Sequence, residues 1–392
     1  MIARKQGNTE KLYEADGHLS AFDATVLSCT PMENGAYAVV LDRTAFFPEG
    51  GGQSADRGML GDARVSDVQI VGDAVVHYTD APLTAGACVR GEIDYATRFR
   101  KMQNHSGEHI LSGLIYTTYG YENVGFHLGD DEMTMDISGT LTQEQLMDIE
   151  YRANAVVWSN AAITAEYPEP EVLAALPYRS KLALTENVRI VTIEGVDACA
   201  CCAPHVARTG EIGIIRIMSA MNYKGGMRLW VRCGADALMV IRREHDDLGA
   251  IGKLFSTGRE DALRSVEKLN REHGELRGAL GQCRRELALC RLEDAARSGE
   301  RHLLFFEQGM DAATMRYMAD EGAARCEGIC GVFSLTEQGS LQYVCASKTI
   351  ALRALSKQLN TAFGGRGGGS DVMIQGSLGA TEEQLRALFV TL

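Results

Sequence analysis

At 392 residues the chain has room for two to four domains of roughly 100 to 200 residues each, so it can bury a core without disulfide or metal staples. A composition of 45% hydrophobic and 23% charged residues is ordinary for globular proteins and excludes disorder as the main state. With 52 acidic and 39 basic residues the net charge is −13, which excludes polyanion binding through the overall field and leaves only local basic patches for a nucleic-acid role.

The opening residues MIARKQGNTEKLYEADG put polar side chains where a signal peptide needs an apolar run, and no stretch of 18 apolar residues follows. A cytoplasmic location without a membrane partner is expected. Eleven irregularly spaced cysteines fit free thiols in a reducing compartment, most of them small core residues such as Cys88 and Cys233. Residues 20 to 95 read as short strands (AFDATVLSC, YAVVLD, RVSDVQIV, AVVHY, CVRGEID) separated by Gly and Asp clusters, which predicts a small β-barrel interrupted by the glycine-rich run from Pro48 to Gly58. A helix is predicted over 97–119, ending at Gly120, and a second over Gln143–Ala161. Strand-like segments VRIVTIEG, EIGIIRIMSA and RLWVRCG then close an α+β domain near residue 233.

Ala262, Val266, Leu269, His273, Leu276, Leu280, Cys283, Leu287 and Cys290 alternate steps of four and three, the seam of a coiled coil over about four heptads. Two arrangements fit it: an intramolecular helical hairpin, or a homodimer through residues 262–290. The last segment offers strands HLLFFEQ, GVFSL and LQYVCAS, helix TIALRALSKQLNTAF and a loop GGRGGGSD. The expected architecture is therefore α+β: a barrel with the glycine-rich motif (1–95), an α/β domain (96–235), a helical coiled-coil linker (236–300) and a C-terminal α/β domain (301–392).

His105 and His109 stand four apart on a predicted helix, so both imidazoles project from one face. Cys201 and His205 repeat that offset in DACACCAPHVARTGEIG. Three imidazoles and one thiolate suit tetrahedral zinc, one ion per chain, with Cys199 and Cys202 as neighbours that could exchange with Cys201. The ion holds the pocket together if all four residues ligate, or acidifies a bound water if one is loose.

These two pairs, HSGEH at 105 and CCAPH at 201 followed by VARTGEIG, resemble the HxxxH and CxxxH halves of the editing domain of alanyl-tRNA synthetases. RTAFFPEGGGQSADRG at 43–58 resembles the glycine-rich motif ahead of that domain, and GGRGGGSDVMIQG at 364–376 is similar to the glycine motif of the C-terminal domain. Only about 40 residues precede the first motif, where a synthetase carries its aminoacylation domains, so the chain looks like a free-standing alanyl-tRNA editing protein of the AlaX type in its long form. The resemblance implies hydrolysis, in trans, of serine or glycine from mischarged tRNA for alanine. It also implies that Thr44 meets the substrate hydroxyl with Gln53 nearby, while Gly50, Gly51 and Gly52 let backbone N–H groups approach the terminal ribose or ester. Cys202, Ala203 and Pro204 replace the Gly-Gly-Thr that the family usually carries inside CxxxH.

Glu108 is a candidate base for the ester in this reading, and two other readings stand beside it. Residues 105–109 also spell HxxEH, a metalloprotease signature in which Glu108 would act as general base and Glu166 or Glu186 as third ligand. A zinc-stabilised tRNA-binding protein without turnover is the other. Residues 205–232 and 338–370 each carry a net charge of +4, leaving −21 for the remainder, and Lys224, Arg228 and Arg366 are the expected phosphate contacts.

Overall fold

The computed structural model describes residues 9–130, 132–180, 188–336 and 339–392, which form two compact units, Met1–Leu248 and Gly249–Leu392. In the first, strand β1 (Ala21–Pro31) buries Phe22, Ala24 and Val26, every second residue, as a strand with one inward face must. It joins β2 (Tyr37–Leu41), β3 (Gly58–Leu60), β4 (Ala63–Val71), β5 (Ala74–Thr79) and β6 (Cys88–Ile93) in a barrel closed in the order β1-β2-β5-β4-β3-β6, antiparallel throughout. Val26, Val39, Leu41, Phe46, Leu60, Val65 and Val68 fill it. Cys88 points outward and is exposed, contrary to the core role expected of it, because its strand alternates in the opposite phase.

One polar ring sits in that core. His77 is fully buried, with Nδ1 donating to the Val39 carbonyl at 3.2 Å and Nε2 accepting the Thr44 hydroxyl at 2.8 Å. That tautomer satisfies both bonds, and burial lowers the His77 pKa to about 4.

Helix α1 (Tyr95–Tyr119) starts at an Asp94 cap that accepts from Thr97 N–H and ends at Gly120 with φ 71°, the left-handed stop that glycine provides. It is buried on all sides from Lys101 to Ile115, although many of those residues are polar. Each buried polar group therefore needs a partner. The Arg98 guanidinium pairs with Asp56 and donates to the carbonyls of Gly17 (2.9 Å) and Ala45 (2.7 Å), while Asp56 also accepts Phe47 N–H. Lys101 donates to Ala55 O (2.9 Å) and Ser54 O (3.3 Å), and Asn104 bonds Asp236 and the amide of Cys233. At Gly107 a Cβ would stand 2.3 Å from Cys233 Sγ, so only glycine allows this approach.

Strands β7 (Asn123–Leu128) and β8 (Met133–Ile137) were not foreseen, being short and split by a Gly129-Asp130 turn. Helix α2 (Gln143–Ser159) opens on a Thr142–Gln145 capping box. Next come a three-stranded sheet of β9 (Ile163–Glu166), β10 (Ile190–Ile193) and β11 (Asp197–Ala200), and the pair β12 (Ile215–Tyr223) and β13 (Gly226–Cys233). The four-stranded sheet β12-β13-β8-β7 packs with α1 and α2 around Ile110, Leu111, Met135, Ile149 and Leu229. Helix α3 (Gly234–Leu254) follows.

In the second unit, helix α4 (Ala262–Ala296) has 35 residues, about 52 Å at 1.5 Å each. A sheet of order β14-β15-β16-β18-β17 is built from Leu303–Gln308, Cys330–Leu335, Leu341–Ala346, Met373–Leu378 (β18) and Arg366–Gly369 (β17). Helix α5 (Ala312–Ala323) and the Ala288 and Leu292 side of α4 share one core, and helices α6 (Arg353–Ala362) and α7 (Glu382–Val390) share another. The segment read as a loop, GGRGGGSD, contains the edge strand β17. It pairs because Gly367 faces Gly376, and a Cβ at Gly367 would stand 2.4 Å from Tyr343 Oη. Among the described residues no helix is long and apolar enough to cross a membrane.

Two measurements test the buried polar groups. Replacing Arg98 with Leu leaves the Asp56 carboxylate buried and unpaired, and is expected to cost about 3 to 5 kcal/mol in urea unfolding. The His77 pKa is lower in the folded chain (about 4) than unfolded (6.5), so the unfolded state takes up the proton first. The neutral ring's stabilisation is complete above pH 6.5 and is lost as pH falls through 4, at most about 3 kcal/mol. The His77→Gln protein should lack this part of the wild-type pH dependence.

Candidate metal centre

Helix α1 presents His105 and His109 one turn apart, ring centroids 5.4 Å from each other. Opposite them, the chain leaves β11 and folds back through residues 201–205. Arg189 fixes that return, donating to Cys201 O (3.1 Å) and Ala203 O (2.9 Å), and Val206 N–H reaches Ser106 Oγ. The four ligand atoms of His105, His109, Cys201 and His205 lie within 4.8 Å of one another. Cys201 Sγ is 3.6 Å from His105 Nε2 and 3.4 Å from His205 Nε2. Tetrahedral bonds of about 2.0 to 2.1 Å to nitrogen and 2.3 Å to sulfur require an N···S separation of about 3.6 Å, so the cluster fits a metal ion.

Outer contacts aim the rings. His105 Nδ1 bonds Gln53 Oε1 (2.8 Å), His109 Nδ1 bonds Asp197 Oδ2 (3.0 Å), and His205 Nδ1 bonds Ser106 Oγ (3.0 Å). Each leaves Nε2 turned to the common centre. Asp197 is itself gripped by Arg179 at 2.7 and 2.9 Å. Burial disfavours that carboxylate, but His109 and Arg179 outweigh it and hold its pKa below the usual range. Burial also works against the Cys201 thiolate, yet His105, close by and hydrogen-bonded to it, brings the thiol well below its ordinary value. His205 is driven by burial to about 3, which keeps its lone pair available.

Gln53, expected near the site, is brought directly into it. It is fully buried, its oxygen faces His105, and its Nε2 has no partner among the described residues. Gly52 has φ 85°, and a Cβ there would stand 2.4 Å from Phe126 O; the Phe126 ring in turn lies 4.7 Å from that of His105. Gly50 and Gly51 run beside the exposed Cys202, whose Sγ is 4.0 and 3.7 Å from where their Cβ atoms would be. Cys199 lies with His109 and Asp197, outside the four-residue set.

Other expected residues are engaged elsewhere. Thr44 is buried, its hydroxyl committed to His77 and to Phe46 N–H (3.1 Å). Glu108 Oε1 accepts from Ser112 and Asn123, and Oε2 lies 4.0 Å from His109 Nε2. Glu166 is exposed on β9, and Glu186 lies outside the described residues. Arg228 forms a two-point pair with Asp136 (2.6 and 2.7 Å) over the Tyr223 ring, which Lys224 also approaches, at 5.0 Å. Arg216, Lys348 and Arg353 likewise meet Glu150, Asp320 and Asp371. Counting charge along the chain overstated both basic segments, since the neutralising acids come from outside each window. Arg366 is exposed on edge strand β17.

Sequence reading missed Ser106, Arg179 and Asp197. Ser106 adjoins a recognised ligand, but nothing in the pattern shows that Asp197 turns toward the helix. Asp197→Asn is expected to weaken metal binding by about 10- to 100-fold in chelator competition, with the fold retained.

Two family models match the chain: tRNA synthetases class II (A) over residues 11–97, and the threonyl and alanyl tRNA synthetase second additional domain over residues 188–239. The alanyl-tRNA editing protein Aarsd1 of Rattus norvegicus is 28% identical, the match covering 96% of this chain and 95% of the relative. Alanine–tRNA ligase of Ignicoccus hospitalis is 32% identical over 71% of this chain, and that of Methanopyrus kandleri 30% identical over 96%. The chain spans only 32% and 44% of these two ligases. The two matched domains, together with a similarity that runs nearly from end to end, liken this chain to the alanyl-tRNA editing proteins.

Proposed function

We propose that the chain is an aminoacyl-tRNA deacylase that frees serine, or glycine, from mischarged tRNA for alanine, with one zinc ion held by His105, His109, Cys201 and His205. The observation that carries this reading is the convergence of three imidazoles and one cysteine sulfur beside a glycine loop whose buried Gln53 has an amide nitrogen without a partner among the described residues. The end-to-end relative named an alanyl-tRNA editing protein supports it. Alanine and serine differ by one hydroxyl, which an apolar pocket rejects poorly, so a hydrolytic second sieve has a physical purpose.

Zinc, when bound, supplies a Lewis acid that polarises an ester carbonyl or a water. The chain's own residues do the rest. His105 holds the Gln53 oxygen, so the amide N–H groups are left to donate to a substrate oxygen. Gly50 and Gly51 keep the loop free of side chains beside Cys202, where the tRNA 3′ end would lie. Glu108, with one oxygen holding Ser112 and Asn123, braces helix α1 against β7 in this reading and is not the proton acceptor. Thr44 acts on specificity only through the barrel wall that it ties to His77. Lys224 and Arg366 remain the outer phosphate contacts, and the chain self-associates through residues 262–290.

The test is ester loss from Ser-tRNA and Ala-tRNA for alanine, before and after chelation. Rapid, chelator-sensitive loss of serine with alanine retained is expected; equal slow loss of both would overturn the reading. Gln53→Leu should slow serine release by about 100- to 1,000-fold, the range for losing one preorganised donor. Glu108→Gln should retain most activity, whereas a zinc protease would lose all of it.

A further inference from the structure

Three aromatic side chains follow one another along one wall beside the metal centre. Phe47 Cζ comes within 3.9 Å of where a Gly50 Cβ would stand, and Tyr13 meets Phe47 edge to face with ring centroids 5.4 Å apart. Both rings are buried with Ala203, and Cys201 packs against them. The third ring belongs to Tyr167, which directly follows strand β9 and is 50% exposed.

That ring is held in place by its edge. The Tyr167 hydroxyl donates to Glu14 Oε2 at 2.7 Å, the Glu14 carbonyl accepts from Arg189 at 3.2 Å, and Arg189 is the side chain that fixes the carbonyls of Cys201 and Ala203. One buried guanidinium thus ties Tyr167 to the CxxxH return. Burial and the Glu14 carboxylate both push the phenol's pKa up, so at neutral pH the hydroxyl keeps its proton and its bond.

The cations tied to this corner are already taken, Lys11 by the other Glu14 oxygen at 3.6 Å and Arg189 by three carbonyls. A phosphate gains little here. A neutral, flat group suits the ring better, because every nucleobase has a π face and stacking on tyrosine needs no hydrogen-bond partner.

Resting on the deacylase reading, which lays the tRNA 3′ end beside Cys202, we infer that Tyr167 is the stacking platform for the terminal nucleobase. Cys202 Sγ is 3.7 Å from where a Gly51 Cβ would be, and the Tyr167 phenol lies near enough to Cys202 for their charges to interact. A site entered by a tRNA end is open at its rim, so the accessibility of this ring comes with the reading. Holding the base at the rim and the ester at the metal centre gives the terminal nucleoside two fixed points, which restricts the angle at which the ester is presented.

The experiment gives the full chain two substrates: Ser-tRNA for alanine, and the same molecule with a 3′-terminal ribose that lacks its base. For the wild type, removing the base should lower kcat/KM by roughly 5- to 150-fold, the range that one stacked base supplies. Tyr167→Ala should lose a similar factor on the intact substrate and be indifferent to the base. Tyr167→Phe keeps the ring and should keep the dependence on the base. Damage to the fold does not imitate this pattern, because it slows both substrates alike. A base that matters equally to the wild type and to Tyr167→Ala, or to neither, overturns the platform while serine release stands. Loss of the dependence in Tyr167→Phe also overturns it, by assigning the effect to the Glu14 bond. No release of serine by the wild type overturns the deacylase reading, and the platform falls with it.

Discussion

The helix-and-loop half of the candidate metal centre depends on one buried ion pair, Arg98 with Asp56. Neither side chain reaches solvent, and the guanidinium also holds the carbonyls of Gly17 and Ala45. It thereby fastens the barrel and the glycine loop to the first turn of helix α1. The next turns continue the grip in register: Lys101 takes Ser54 and Ala55, and His105 takes Gln53. The loop descends residue by residue as the helix ascends. A desolvated pair is costly to build, and its return here is positional, because it fixes the residue that orients the first ligand.

The other half of the site is held by a second set of polar contacts. Arg179 orients Asp197, Asp197 orients His109, and Arg189 fixes the carbonyls on either side of Cys202. Rigid outer contacts of this kind leave little reorganisation for the moment of binding, which is what a preorganised catalytic site requires.

Much of this was legible in the sequence. The HxxxH and CxxxH spacings pointed to the four side chains that converge because four residues is one helical turn or one tight return, and such offsets survive tertiary context. Helix α1 was readable from its ends, Asp94 and Gly120. Less legible were features that depend on distant partners. Thr44 looked available until His77, from another strand, occupied its hydroxyl. Arg228 looked like a phosphate contact until Asp136, nearly a hundred residues earlier, paired with it. Strand β17 looked like a loop because glycine runs carry no periodicity, and its pairing is decided by Gly376 across the ladder.

The separation of the two ligand pairs along the chain has a consequence for assembly. His109 and Cys201 are joined only by closing a loop of more than ninety residues, and Gln53 belongs to a still earlier segment. Local ligands, as in small metal-dependent domains, let the ion nucleate the fold. Here the barrel, helix α1 and the sheet must be in place before four donors coincide, so an ion held by them would enter last. Such an ion would favour only the finished first unit, by mass action, and its occupancy would be a readout of complete folding.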